Sequence, residues 1–143
     1  MFNKVLVPVD LQDTGFCLNA LKIALREVQG TDNELHLITV LPGYNNNLVS
    51  SFFKEKEHKA VLVKAAKVLM AFSKEHVPSD INLKMKVFEG SASEEVNRYV
   101  QNKEIKLVVM RGHQRSKINE FLLGSVSSRV VERAHCSVFV LKD

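Results

Sequence analysis

Leu107–Ser128, LVVMRGHQRSKINEFLLGSVSS, runs from a strand through a loop into a helix. Leu107-Val108-Val109-Met110 is a compact apolar run of the length and type of a strand buried on both faces. Such a strand belongs to a parallel sheet with helices on either side, so this run points to an α/β fold. A polar, basic segment from Arg111 to Glu120 follows, with glycine at 112, then Phe121-Leu122-Leu123-Gly124-Ser125 and a helical pattern. Amides at a helix start lack intrahelical partners and carry partial positive charge, so they attract anions. Glycine beside them lets the backbone approach a ligand closely. The residues alone fit either an anion site or an ordinary strand–loop–helix joint.

The flanks repeat the pattern. Downstream, Ser125 to Ala134 reads as a helix with Val126, Val130 and Ala134 on one face, and Cys136 to Leu141 as a closing strand. Upstream, Glu89-Gly90-Ser91 is a turn, with Ser91 or Ser93 as a cap, into a short helix that buries Val96, Tyr99 and Val100. Ile81, Leu83, Met85 and Val87 alternate with Asn82, Lys84 and Lys86, the mark of a half-exposed edge strand. A long helix spans about Phe52 to Glu75, with Val61, Leu62, Ala65, Leu69 and Phe72 as its buried stripe. Before it, Pro42–Ser51 is a turn-rich loop placed to act as a lid. Leu35–Leu41 is a strand in which His36 faces solvent or a covering helix rather than a ligand. Gly15–Val28 is an amphipathic helix, capped by Asp13 or Thr14 and ended by Gly30.

The first run, Lys4-Val5-Leu6-Val7-Pro8-Val9-Asp10, is apolar enough for a central strand, and Pro8 places its end. Strand and helix alternate throughout. The expected architecture is an open five-stranded parallel sheet of order 3-2-1-4-5 with helices on both faces. That order puts the crevice between strands one and four, where Asp10 meets the Gly112–Ser125 loop. From the residues alone Asp10 reads more readily as a loop acid near the next helix start than as a ligand.

The 143 residues, 45% hydrophobic and 25% charged, fit one soluble globular domain over 1–143. MFNKVLVPVD does not read as a signal peptide and no run has the length of a membrane span, so the cytoplasm is the expected compartment. Cys17 and Cys136 lie far apart, outside any metal-ligand spacing, and read as two small buried thiols. The net charge of +4 favours anionic partners. Basic residues are dispersed and there is no tryptophan for base stacking, which weighs against nucleic acid.

Over essentially its whole length the chain resembles the universal stress protein family. The resemblance rests on KVLVPVD, HLITV, EGSASEEV and, most specifically, LVVM…LLGSVSSRVVERAHCSVFVLKD. It implies a Rossmann-like fold of the adenine nucleotide alpha hydrolase kind and binding of ATP or AMP through G-x-x-G, nine residues, then G-S or G-T. Gly124-Ser125 supplies the second half, but Arg111 and Gln114 stand where the first two glycines would. A shift of one place lets Gly112 serve as the first glycine and sets Arg115 near the second, within His113-Gln114-Arg115. A lost glycine pushes backbone off a phosphate, whereas Arg111, Arg115 and Lys117 add cations that hold one. Carried over, the pattern puts Asp10 by the ribose and adenine with Pro8 and Val9 beside it, and the backbone of Val40 at the adenine edge. Gly112, Gly124, Ser125 and Val126 surround the phosphates, on which Mg2+ or Mn2+ could ride.

A stress-response regulatory module binding adenine nucleotide is the expected function. The alternative is a member that has lost nucleotide and acts as a dimeric interaction module. The Walker pattern G-x-x-x-x-G-K-S/T is absent. His113 and Glu120 lie in the right loop for a water-activating base but read as plain loop residues, so no enzyme is expected. Under either expectation Val138-Phe139-Val140 is an apolar edge whose pairing with a two-fold mate gives a homodimer, as the family resemblance also implies.

Overall fold

A computed structural model describes residues 1–43, 55–112 and 124–142, and these residues form the expected parallel sheet in the order β3-β2-β1-β4-β5. The strands are β1 (Lys4–Pro8), β2 (Glu34–Leu41), β3 (Asn82–Glu89), β4 (Leu107–Arg111) and β5 (Ser137–Leu141). The helices are α1 (Leu18–Val28), α2 (Glu55–His76), α3 (Ala92–Lys103) and α4 (Ser125–Arg133).

Strand alternation divides the core into two layers. Val5 and Val7 of β1, Leu35 and Leu37 of β2, and Leu107 and Val109 of β4 pack against Ala20, Leu21, Ala24 and Val28 of α1 and Leu69 and Phe72 of α2. Leu6, Ile38, Val108 and Met110 pack on the other face against Val96, Tyr99 and Val100 of α3 and Val130 of α4. β3 and β5 are the sheet edges, which explains the alternating pattern read in β3.

Three expectations about the helices change. Residues 14–17 form a 3-10 turn before α1 begins at Leu18, and the Asp13 side chain makes no capping bond. Val61 is exposed, because the buried line of α2 runs through Ala65, Leu69, Phe72 and Ser73 and turns Val61 to one flank. Val126 is exposed as well, because Ser127 rather than Val126 joins Val130 on the buried side of α4. Gly30 ends the α1 region at φ +71, as its position suggested. Most of the Pro42–Ser51 loop lies outside the described residues.

α3 ends on a non-glycine residue in the left-handed region, Glu104 at φ 54, with the Ile105 N–H donating 3.0 Å to the Val100 carbonyl. A Cβ is disfavoured there. Glu104→Gly is expected to raise stability by about 0.5–1 kcal/mol, read as a higher urea midpoint; an unchanged or lower midpoint would show the left-handed turn to be unstrained.

His36 is covered by α3. Its Nδ1 lies 2.6 Å from the Tyr99 hydroxyl and its Nε2 2.8 Å from Glu34 Oε2. The two contacts fix the tautomer: Nε2–H donates to the carboxylate and Nδ1 accepts from the phenol. Burial holds the imidazole below its ordinary pKa, with the Glu34 hydrogen bond acting the other way. Donation from His36 holds the Glu34 carboxyl below its own ordinary value.

Candidate functional site at the ends of β1 and β4

Pro8 is the residue that opens the sheet. β1 and β2 stay in register as far as Pro8↔Ile38, but β1 and β4 pair only at Val5↔Leu107 and Leu6↔Val108. Val9 donates 2.8 Å to the Ile38 carbonyl, so odd-numbered residues of β1 bond to β2 and even-numbered ones face β4. Pro8 has no N–H to offer β4. A proline tolerated in a central strand thus marks where the central pair parts.

The backbone beyond Pro8 is fastened from below. The Asp10 N–H meets Cys17 Sγ at 3.3 Å, and the thiol lies 3.6 Å from the Pro8 carbonyl. Asp10 Oδ1 accepts from the Gln12 N–H at 2.9 Å, and its carbonyl accepts from the Asp13 N–H at 3.1 Å. Burial pushes the Cys17 thiol above its ordinary pKa, against the opposing hydrogen bond from Asp10. A protonated, enclosed thiol that satisfies two backbone groups is a structural part, as the sequence suggested. Cys136 is half-buried rather than buried.

On the β2 side, the Thr39 hydroxyl donates 2.8 Å to the Val9 carbonyl. Val40 lies on the same side of β2 as Ile38, so its backbone groups turn toward the space past the end of β1.

At the end of β4 the chain forms a clasp. The Gly112 N–H donates 2.8 Å to Leu141 of β5, and the Gly112 carbonyl accepts from the Gly124 N–H. The Ser127 hydroxyl lies 2.8 Å from the Gly112 carbonyl and 3.0 Å from that of Gly124. A Cβ on Gly124 would stand 3.0 Å from the Gly112 oxygen, so only glycine permits this approach without a shift. The Ser128 N–H makes the first helical bond, 2.9 Å to the Gly124 carbonyl. The amides of Ser125, Val126 and Ser127 therefore begin α4 without intrahelical acceptors, and Ser125 and Val126 are exposed.

The structure brings Pro8, Val9, Asp10 and Val40 to the C-terminal ends of β1 and β2, and bonds Gly112 to Gly124, the residue from which Ser125 and Val126 begin α4 on the adjoining side. Arg115, with His113, Gln114, Lys117 and Glu120, lies outside the described residues. Ser127 was not anticipated. Its only trace in the sequence is a small polar residue three places before the buried Val130. Arg111 is held by a contact that spacing does not reveal: its guanidinium lies 4.7 Å from the centre of the Phe16 ring. Among the described residues no group of three or more His, Cys, Asp or Glu side chains could hold a metal, and no helix is long and apolar enough to cross a membrane.

A parallel sheet that opens between its first and fourth strands, with a helix start fastened beside the gap, defines the class: open α/β proteins whose ligand crevice lies at the topological switch point. Within that class the universal stress protein family profile matches residues 1–142, and the chain belongs to that family. It is 28% identical over 151 residues to Universal stress protein MJ0531 of Methanocaldococcus jannaschii, covering 99% of this chain and 83% of that relative. It is 27% identical over 160 residues to MJ0577 of the same organism, covering 99% and 96%. A solved structure of MJ0577 superposes with a TM-score of 0.79, at 25% identity over 99% of this chain and 96% of that one. A family protein of Arabidopsis thaliana solved with AMP bound has a TM-score of 0.63 at 17% identity, covering 96% and 90%. A universal stress protein in complex with cAMP has a TM-score of 0.59 at 18% identity, covering 98% and 97%.

Proposed function

We propose that this chain is an adenine-nucleotide-binding regulatory module of the stress response, working as a homodimer and binding ATP or AMP without turning it over. The observation that carries the reading is the Gly112–Gly124 clasp. It leaves the amides of Ser125–Ser127 at the mouth of the gap that Pro8 opens, where an anion gains both hydrogen bonds and the helix dipole. The AMP and cAMP complexes of the two structural relatives support the choice of adenine nucleotide.

In this reading Asp10 takes the ribose, with Pro8 and Val9 beside it, and the Val40 backbone meets the adenine edge. Gly112, Gly124, Ser125 and Val126 surround the phosphates, and Arg115 adds a cation. Mg2+ or Mn2+ would be held through the phosphate oxygens. The test is calorimetry of ATP and AMP on nucleotide-free protein. Saturable binding of one nucleotide per chain is expected, and no heat at millimolar nucleotide would overturn the reading. Phosphate release from ATP is expected to stay at background; turnover that vanished on substitution of His113 or Glu120 would make the protein an enzyme instead.

Dimerisation rests on β5. The Leu141 carbonyl bonds inward to Gly112, and the opposite side of the strand is the sheet edge. Phe139 is 47% exposed there. A two-fold mate would pair the edge and cover both phenylalanines. Light scattering is expected to give twice the chain mass for the wild type and the single-chain mass for Phe139→Lys, which sets two like charges near one another. A monomeric wild type at tens of micromolar would count against the dimer. If calorimetry shows no nucleotide while the dimer persists, the second reading holds, a dimeric interaction module, in keeping with Arg111 and Gln114 at the glycine positions.

A further inference from the structure

We propose that Arg111 reads the phosphate of the bound nucleotide, so that the crevice selects phosphorylated adenosine over adenosine itself; the inference rests on the nucleotide-site reading above. Arg111 is the last residue of β4 and directly precedes the clasped Gly112. Alternation sends its side chain to the α1 face, with Leu107 and Val109. There the guanidinium lies 4.7 Å from the centre of the Phe16 ring. Phe16 belongs to the 3-10 turn that follows β1, so the side chain reaches from the end of β4 to the segment after β1 instead of projecting into solvent. Its Nε is enclosed and has no hydrogen-bond partner among the described residues.

A solvated loop arginine would keep every N–H in water. Here one is enclosed without an acceptor, and an enclosed, unanswered donor on a charged group calls for a partner that arrives from outside. The Phe16 ring beneath the guanidinium limits where the group can swing, so the cation is held near the end of β4 before any ligand comes. A planar fork of N–H donors matches two oxygens of a phosphate, whereas a neutral ribose hydroxyl offers neither the charge nor the second acceptor. Asp10, at the end of β1, puts a carboxylate beside the same gap and by itself opposes an anion. A cation at the end of β4 offsets that charge and makes the site suitable for a nucleotide.

The experiment compares AMP with adenosine by calorimetry on the wild type, Arg111→Met and Arg111→Lys. The wild type is expected to bind AMP at least about tenfold more tightly than adenosine. Arg111→Met is expected to weaken AMP by about ten- to a hundredfold, the scale of a lost charge-assisted hydrogen bond. Its adenosine affinity should stay within about threefold of wild type, which also shows that the crevice has kept its shape. Arg111→Lys should restore part of the loss. An AMP-to-adenosine ratio unchanged in Arg111→Met, or tighter AMP binding by that variant, would overturn the proposal, the second by showing that the side chain fills the phosphate's place. If the wild type binds neither ligand, the nucleotide reading itself fails and takes this inference with it. If the wild type binds AMP and Gly124→Val does not, while Arg111→Met keeps the wild-type ratio, only the role of Arg111 falls.

Discussion

Gly124→Val is expected to reduce ATP and AMP affinity by on the order of a hundredfold, with Gly124→Ala falling between it and the wild type. The backbone at Gly124, φ −61 and ψ 159, is one any residue adopts, so the expected loss owes nothing to torsional strain. It comes from space. A Cβ would stand 3.0 Å from the Gly112 carbonyl oxygen and 3.6 Å from Ser127 Oγ, and valine adds two methyl groups to that crowding. To relieve it, the start of α4 must move away from β4, which carries the Ser125–Ser127 amides with it. Overpacking of this kind costs about 1–3 kcal/mol. Ser127→Ala separates the two parts of the clasp. It removes the hydroxyl bond to Gly112 but adds no bulk, so it should cost about 0.5–1.5 kcal/mol of stability with a smaller loss of affinity than Gly124→Val. Calorimetry on the three variants checks the ranking. Equal affinities in Gly124→Val and wild type would place the nucleotide elsewhere.

Much of this architecture is written locally. Val5-Leu6-Val7 and Leu107 to Met110 are apolar at every position because helices cover both faces of the central strands, and no other environment suits them. The alternation of β3 follows from its place at the edge. Pro8 names the end of β1, although its larger consequence, the parting of β1 from β4, depends on which side of the strand faces which neighbour and emerges only with the register. The clasp was half legible. Gly124-Ser125 announces a helix start, but the bond from Gly124 to Gly112 spans a segment whose length says nothing about where its ends meet. Ser127 is not legible because helical periodicity is read from apolar residues, and here a hydroxyl, satisfied by two carbonyls, takes the buried place that the pattern assigns to Val126. Val61 departs from the expected stripe for a related reason. Val61, Val63, Val68 and Met70 are all exposed on α2, so apolar residues surround its buried line and blur the stripe. The Phe16–Arg111 contact joins residues far apart in the chain, and neither residue type at its position signals the other.

At the opposite end of β2 from the site, Tyr99→Phe is expected to destabilise the fold by about 1–3 kcal/mol and His36→Gln to flatten its dependence on pH. The phenol is the only donor to His36 Nδ1 among the described residues, at 2.6 Å, and the His36 side chain is 4% exposed, so no water replaces the lost hydroxyl without opening the layer under α3. The sign with pH follows from the same contacts. Folded, His36 titrates below its ordinary 6.5, burial being the larger influence, so between the two values the unfolded chain binds more protons. The His36 contribution to stability is therefore complete above about pH 6.5 and is lost as pH falls through that value toward the lower folded one. Glu34 adds a second window in the same direction. Its folded value lies below its ordinary 4.5, so its contribution is complete above that and disappears as pH falls through the folded value. Urea midpoints at pH 7.5 and 5.5 separate His36 from the other titrating groups when wild type and His36→Gln are compared, since only the imidazole differs. A wild-type midpoint that falls no more on acidification than that of His36→Gln would show that the imidazole accepts its proton in the folded chain at no cost. A Tyr99→Phe midpoint equal to wild type would show that the phenol contributes nothing to holding the imidazole neutral.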